Sequence, residues 1–319
     1  MIIFPVGRNL LHNANFANNS YNPTGLSNPA DFGLGYRAMD RWQVAFNNMS
    51  GGNRDILPGN SSPPLNNKSR DYVSFFFETQ ASSTIEVSQR IESRDAVDAV
   101  KAGKLSMRLV SLQNEFEGAL VTLRHPSAGI DNYTAPVDFF SRQVSLNATN
   151  TWDTQGIVLE DIDVPPEAID GIELHVEFNN PLLIPGVREM RLTQWMLNPG
   201  PQVQPFELRH FNETMGKLAD KRYYQNLRWD RINSELGGDA SVASVRLSWM
   251  FTLPVPMRAI PTVVKTHQGF GNIRANDPDS FWTVTTVDVE NSVVRISMER
   301  STAGWTFISR PFIQFLAEL

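Results

Sequence analysis

The sequence predicts an all-β protein: an N-terminal jelly-roll β-sandwich, a short linking helix and a small C-terminal β-sandwich domain. Three observations predict it. Apolar and polar residues alternate over most of 71–200 and again over 240–319, as strands buried on one face require. One convincing helical stripe, with apolar residues at three- and four-residue steps, follows Asn212. At 319 residues the chain exceeds the size at which one hydrophobic core usually stops growing, so two domains are expected.

Composition narrows the function. The chain is 41% hydrophobic and 19% charged, with net charge −6. It has no dense Lys/Arg run, and a nucleic-acid groove needs clustered positive charge. Nucleic acid is therefore not expected as a partner. There is no cysteine, which excludes disulfides, thiolate metal sites and cysteine nucleophiles. No apolar run of about 18 residues exists, so no membrane insertion is expected. Met1-Ile2-Ile3-Phe4-Pro5-Val6 lacks the basic start and the length of a signal peptide.

Residues 8–70 read as ordered loop. Thirteen asparagines lie between Asn9 and Asn67, interleaved with glycine and proline, all residues of turns. Phe16, Phe32, Tyr36, Trp42 and Phe46 would anchor this segment on a core. Ser50–Lys68 has no aromatic anchor and reads as a mobile loop.

Eight strands follow. They centre on Val73–Glu78, Ile85/Val87, Leu105/Met107/Leu109, Val121/Leu123, Val144/Leu146, Ile157/Leu159, Ile172/Leu174/Val176/Phe178 and Arg188–Leu197. Ala96–Lys101 reads as a helical turn. This number of strands calls for two sheets packed face to face. In the linking helix, Asn212 would cap the N-terminus, Glu213 would suit the dipole, and Phe211, Met215, Leu218 and Arg222/Tyr223 would form the stripe. Beyond it, Ser244–Met257, Thr262–His267, a hairpin over Ser280–Glu299 turning at Val289–Ser292, and Trp305–Leu316 supply the strands of the small domain. The expected division is 1–205, a hinge at 206–239, and 240–319.

Catalytic signatures are missing. The sequence contains no Gly-x-Ser-x-Gly elbow, no His-Glu-x-x-His and no phosphate loop. His12, His125, His175, His210 and His267 share no metal-ligand spacing. No enzyme activity and no cofactor are expected. The acidic run Glu160-Asp161-Ile162-Asp163 reads in two ways. Asp161 and Asp163 offer oxygen ligands to a structural calcium, or the run is a solvated strand edge whose charge discourages aggregation.

Several ordered elements resemble bacteriophage tail-fibre-type virion proteins, in which a carbohydrate-binding-module-like jelly roll precedes a linking helix and a small β-domain. Asn9-Leu10-Leu11 to Asn15-Phe16 is similar to the opening of that jelly roll. Tyr36-Arg37-Ala38-Met39-Asp40-Arg41-Trp42 resembles its aspartate-arginine-tryptophan signature. Gln89-Arg90-Ile91-Glu92 and Gly103-Lys104-Leu105 resemble two strand entries. The run Arg191–Leu197, its turn Asn198-Pro199-Gly200, Pro205-Phe206-Glu207 and Arg222-Tyr223-Tyr224-Gln225 resemble the hinge. Pro254–Val263 and Ala317-Glu318-Leu319 are similar to the start and end of the C-terminal domain. Asn198 departs from the pattern, standing where the family often has an acidic residue.

The resemblance implies a non-enzymatic protein on the virion surface that binds host cell-surface polysaccharide, mounts on other virion proteins and forms homo-oligomers. No virion-anchoring domain or fibrous shaft precedes residue 8, so a capsid decoration (cement) protein is the alternative. A glycan-degrading enzyme stands third. Sugar binding usually stacks an aromatic ring on a pyranose. Trp152 and Trp229, in polar contexts, are the platform candidates. Trp42 is a further candidate, but after Asp40-Arg41 it reads more readily as a core plug than as a platform. Phe206, Tyr223 and Tyr224 are expected to act structurally between the domains.

Overall fold

The computed structural model describes residues 9–12, 14, 16, 26–27, 35–39, 41–48, 50–59, 71–78, 80–113, 115–146, 156–183 and 187–206, followed by eight strands between 224 and 316. Two compact units emerge, residues 1–216 with Leu319, and 217–318.

The first unit contains β1 (Leu26–Ser27), β2 (Gly35–Met39), β3 (Trp42–Asn47), β4 (Ser50–Gly59), β5 (Tyr72–Glu78) and β6 (Thr84–Glu92). Helix α1 (Ser93–Ala102) leads into β7 (Lys104–Leu112), β8 (Phe116–His125), β9 (Val137–Ser145), β10 (Ile157–Asp163), β11 (Gly171–Pro181) and β12 (Arg188–Pro199). A 3-10 turn, Pro166–Asp170, precedes β11. One sheet has the order β1-β4-β5-β12-β7-β10 and the other β2-β3-β6-β11-β8-β9. Their pairings are antiparallel. This is the expected sandwich, with all eight expected strands present. The helical turn expected at 96–101 is part of α1, which Gly103 ends at φ 67° by bonding back to Ala99 and Val100.

The inner faces meet through aromatic side chains. Phe46 of one sheet packs on Phe75 and Phe77 of the other, with ring centroids 5.9 and 6.4 Å apart. Trp42 and Trp195 meet edge to face at 5.3 Å, and Phe16 touches both at 4.8 and 5.4 Å. Such geometries suit the ring quadrupoles and add to the apolar burial.

The N-terminal segment is built into this core. Asn9, Leu10, Leu11, His12, Ala14 and Phe16 are all buried. β5 pairs with β12 only as far as Leu192, and beyond it the segment takes up backbone groups of β12. The Trp195 N–H donates to the Ala14 carbonyl at 2.9 Å, and the Leu10 N–H to the Leu197 carbonyl at 2.8 Å. Two buried carboxamides complete the join. Asn9 donates to the Trp195 carbonyl and accepts from the Leu197 N–H. Gln89 accepts from the His12 N–H at 2.6 Å and donates to the His12 carbonyl at 2.9 Å.

Residues 8–70 depart from the loop expectation. β2 and β3 pair as antiparallel neighbours, with Met39 opposite Trp42. Ser50–Gly59, half of the segment read as a mobile loop, is β4, paired along Asp55–Gly59 with Phe76–Tyr72. Asn, Gly and Pro disguise these strands. Near a sheet edge, with only the two-residue β1 outside it, β4 tolerates Gly and Pro that an inner strand would not.

The second unit has β13 (Tyr224–Arg228), β14 (Asp239–Ala240), β15 (Val245–Thr252), β16 (Thr262–Lys265), β17 (Thr283–Glu290), β18 (Val293–Arg300), β19 (Gly304–Trp305) and β20 (Phe312–Leu316). They form sheets ordered β13-β20-β16, β14-β19 and β15-β18-β17. The hairpin expected at 289–292 is β17–β18. The helix expected after Asn212, and Tyr223 with it, lie outside the described residues. Tyr224, expected in the hinge, opens β13 and pairs with Leu316. Sheet pairing there satisfies the backbone, so part of the segment read as a hinge is strand.

Candidate functional site

Alternation decides what each strand shows to solvent. On β11, Leu174, Val176 and Phe178 point into the core, so Glu173, His175, Glu177 and Asn179 point outward. The register extends this choice across the β2-β3-β6-β11-β8-β9 sheet and builds polar rows on its outer face.

One row runs Arg90, Glu173, Arg124, Asp138 across β6, β11, β8 and β9. Its charges alternate and are bonded in sequence. Arg90 Nε donates to Glu173 Oε1 at 2.9 Å, and Arg124 reaches Glu173 Oε2 at 3.5 Å and Asp138 Oδ1 at 2.9 Å. Arg90 also lies 4.9 Å from the centre of the Tyr133 ring. The next row places Ser88, His175, Thr122 and Ser141 side by side. Burial, then the nearby Arg124, push the His175 imidazole below its usual pKa.

A third row holds Ala45, Glu86, Glu177, Leu120 and Gln143. Glu86 and Glu177 are direct cross-strand partners. Asn47 donates to Glu86 Oε1 at 2.5 Å, and Asn179 to Glu177 Oε1 at 3.5 Å. Beyond them, Gln143 and Asn179 exchange amide hydrogen bonds over Gly118. The face thus carries planar carboxamides and carboxylates beside small apolar side chains, on strands rather than loops.

The tryptophan expectations fare differently. Trp42 as a sugar platform is corrected: it is 0% exposed. The preceding Arg41 adopts a left-handed φ of 73° and donates to the Arg90 carbonyl at 3.2 Å, and Trp42 turns into the core. In the aspartate-arginine-tryptophan signature, Arg41 is thus a turn and Trp42 a plug, while Asp40 lies outside the described residues. Trp152 and Trp229 lie outside the described residues. Phe206 is fully buried in the core of the first unit.

Asp161 and Asp163, the calcium candidates, both lie beside Lys104. Lys104 Nζ lies 3.1 Å from Asp161 Oδ1 and 2.8 Å from Asp163 Oδ1, so an ammonium already meets their charge. Both aspartates are exposed, on the edge strand β10, the solvated-edge reading. Among the described residues, no group of three or more His, Asp or Glu is placed to hold a metal.

The outer-face residues were missed by sequence reasoning. Their signal is the polar half of each alternating strand, which becomes a site only when the register sets the strands side by side.

No family model and no curated protein matches the chain. Solved structures with similar folds include TmCBM61 in complex with β-1,4-galactotriose, at 15% identity and TM-score 0.34, covering 60% of this chain and 99% of that one. A putative sugar binding protein from Bacteroides thetaiotaomicron aligns at 12% identity and TM-score 0.36, covering 60% of this chain and 100% of its own. A family 11 carbohydrate-binding module from Clostridium thermocellum, in complex with a β-1,3-1,4-mixed-linked tetrasaccharide, aligns at 10% identity and TM-score 0.30, covering 56% and 97%.

Proposed function

We propose that this chain is a non-enzymatic bacteriophage virion protein of the tail-fibre type. In this reading its N-terminal sandwich holds host surface glycan on the outer face of the β2-β3-β6-β11-β8-β9 sheet. The observation that carries the binding role is the row Glu86, Glu177, Leu120, Gln143, with Asn179 beside it. Vicinal sugar hydroxyls bond well to planar carboxamides and carboxylates, and the apolar face of a pyranose suits Leu120. Sheet strands and cross-bonded side chains lose little freedom on binding. The phage assignment rests on the ordered sequence elements, above all the Asp40-Arg41-Trp42 and Arg222–Gln225 segments. Mounting on a tail or capsid partner and assembly into homo-oligomers belong to the same proposal, because linked copies multiply weak single-site affinity.

A glycan array probed with the purified chain tests this reading, followed by a reducing-sugar assay on any glycan bound. Binding without release of reducing sugar is the expected result. Release would restore an enzyme. Failure to bind glycan, with binding to empty capsids, would place the chain among decoration proteins.

A further inference from the structure

We propose that the outer face takes uncharged glycans and turns away sugars carrying carboxylate, sulfate or phosphate, because Glu86 and Glu177 stand directly opposite one another with no Lys or Arg among the described residues paired to either. The proposal rests on the glycan-binding reading above and adds the class of sugar.

Like charges directly opposite on antiparallel strands are destabilising. Among the described residues, amides offset that cost. Asn47 bonds Glu86 at 2.5 Å and Asn179 bonds Glu177 at 3.5 Å, and an amide donates a hydrogen bond without cancelling charge. Among the described residues, no Lys or Arg makes an ion pair with either carboxylate; the ring of His175 is 3.9 Å from Glu86. That ring is held toward its neutral form by burial and by Arg124. Among the described residues, the guanidiniums of the face lie in another row, already matched: Arg90 and Arg124 share Glu173, and Arg124 also holds Asp138.

The consequence for a ligand follows from donor chemistry. A sugar hydroxyl donates, and a carboxylate accepts from it more strongly than a neutral oxygen does. An acidic substituent instead brings acceptors and negative charge to a surface that already has both. An amino sugar adds a positive charge and would be welcome.

The test is an array of paired glycans that share a backbone and differ only in one acidic substituent, probed with the full chain. Because one unscreened like-charge contact at a partly exposed site is worth about tenfold, the neutral member should bind at least that much more tightly at ~0.1 M salt. The preference should narrow at about 0.5 M salt, where screening is stronger. It should also shrink in a Glu86→Gln/Glu177→Gln variant. Acidic members bound as tightly as neutral ones would overturn the charge selection and leave the glycan reading intact. A preference indifferent both to salt and to the double substitution would overturn it too. Binding to neither member of any pair would remove the glycan reading, and the selection with it.

Discussion

Gln143 on β9 and Asn179 on β11 exchange two amide hydrogen bonds, of 2.8 and 3.2 Å, across the intervening strand at Gly118. A Cβ at Gly118 would lie 2.4 Å from Gln143 Nε2 and 2.8 Å from Asn179 Oδ1, so the pair exists because that side chain is missing. Gly118→Ala should push the exposed amide tips apart with little strain on the backbone. Stability should change by no more than about 1 kcal/mol, while affinity for glycan falls about tenfold. Thermal melts and a binding titration on one sample check both halves. Unaltered affinity would take the amide pair out of the site.

Gln89 is a polar residue in a core position, and its purpose is the N-terminal segment. Its amide replaces a strand partner for the His12 backbone. Gln89→Leu adds apolar surface yet strands a buried N–H and C=O, at about 1–3 kcal/mol for each. The variant should therefore melt lower than the parent. A variant as stable as the parent would show that the segment does not depend on this amide.

Glu115, 1% exposed, has its pKa raised to about 6 by burial, with Arg188 offsetting part of the effect. The folded protein holds this proton more tightly than the unfolded chain does. The associated stability is present below the usual value of 4.5 and is lost as pH rises through about 6. The difference amounts to about 2 kcal/mol. Glu115→Gln, which never ionises, should gain that much relative to the parent between about pH 4 and 8. Denaturant melts across this range measure it. A constant difference would mean that Glu115 titrates normally.

Lys104, bonded to Asp163 and Asp161, has its pKa raised by them, and its ammonium already meets the charge of both carboxylates. Neither millimolar calcium nor a chelator should move the melting temperature, since a ligand stabilises only what it binds. A calcium-dependent rise that disappears in Asp163→Asn would return these carboxylates to the ligand role.

The sandwich was legible where one face is buried: Ile172, Leu174, Val176 and Phe178 mark β11 without help from the rest of the chain. β2 to β4 were not, because Asn47, Asn53, Gly51 and Pro58 carry turn chemistry that sheet pairing overrides. Trp42 remained ambiguous because its direction depends on the left-handed backbone of Arg41, a three-dimensional fact. The outer face was the least legible part. Glu86 and Glu177 lie 91 positions apart, and each alone looks like an ordinary solvated residue. Only the pairing of β6 with β11 brings them together.

The central claim is that the outer face of the β2-β3-β6-β11-β8-β9 sheet holds glycan. Calorimetric titration of the strongest array glycan into three proteins tests it most directly: the parent, Gln143→Ala/Asn179→Ala on this face, and Val158→Ala on β10 of the other sheet. Loss of two ligand hydrogen bonds predicts at least about a tenfold drop in affinity for the double variant. The Val158→Ala protein should match the parent. Equal affinity in the parent and the double variant, with both folded, would contradict the account and place the sugar elsewhere on the chain.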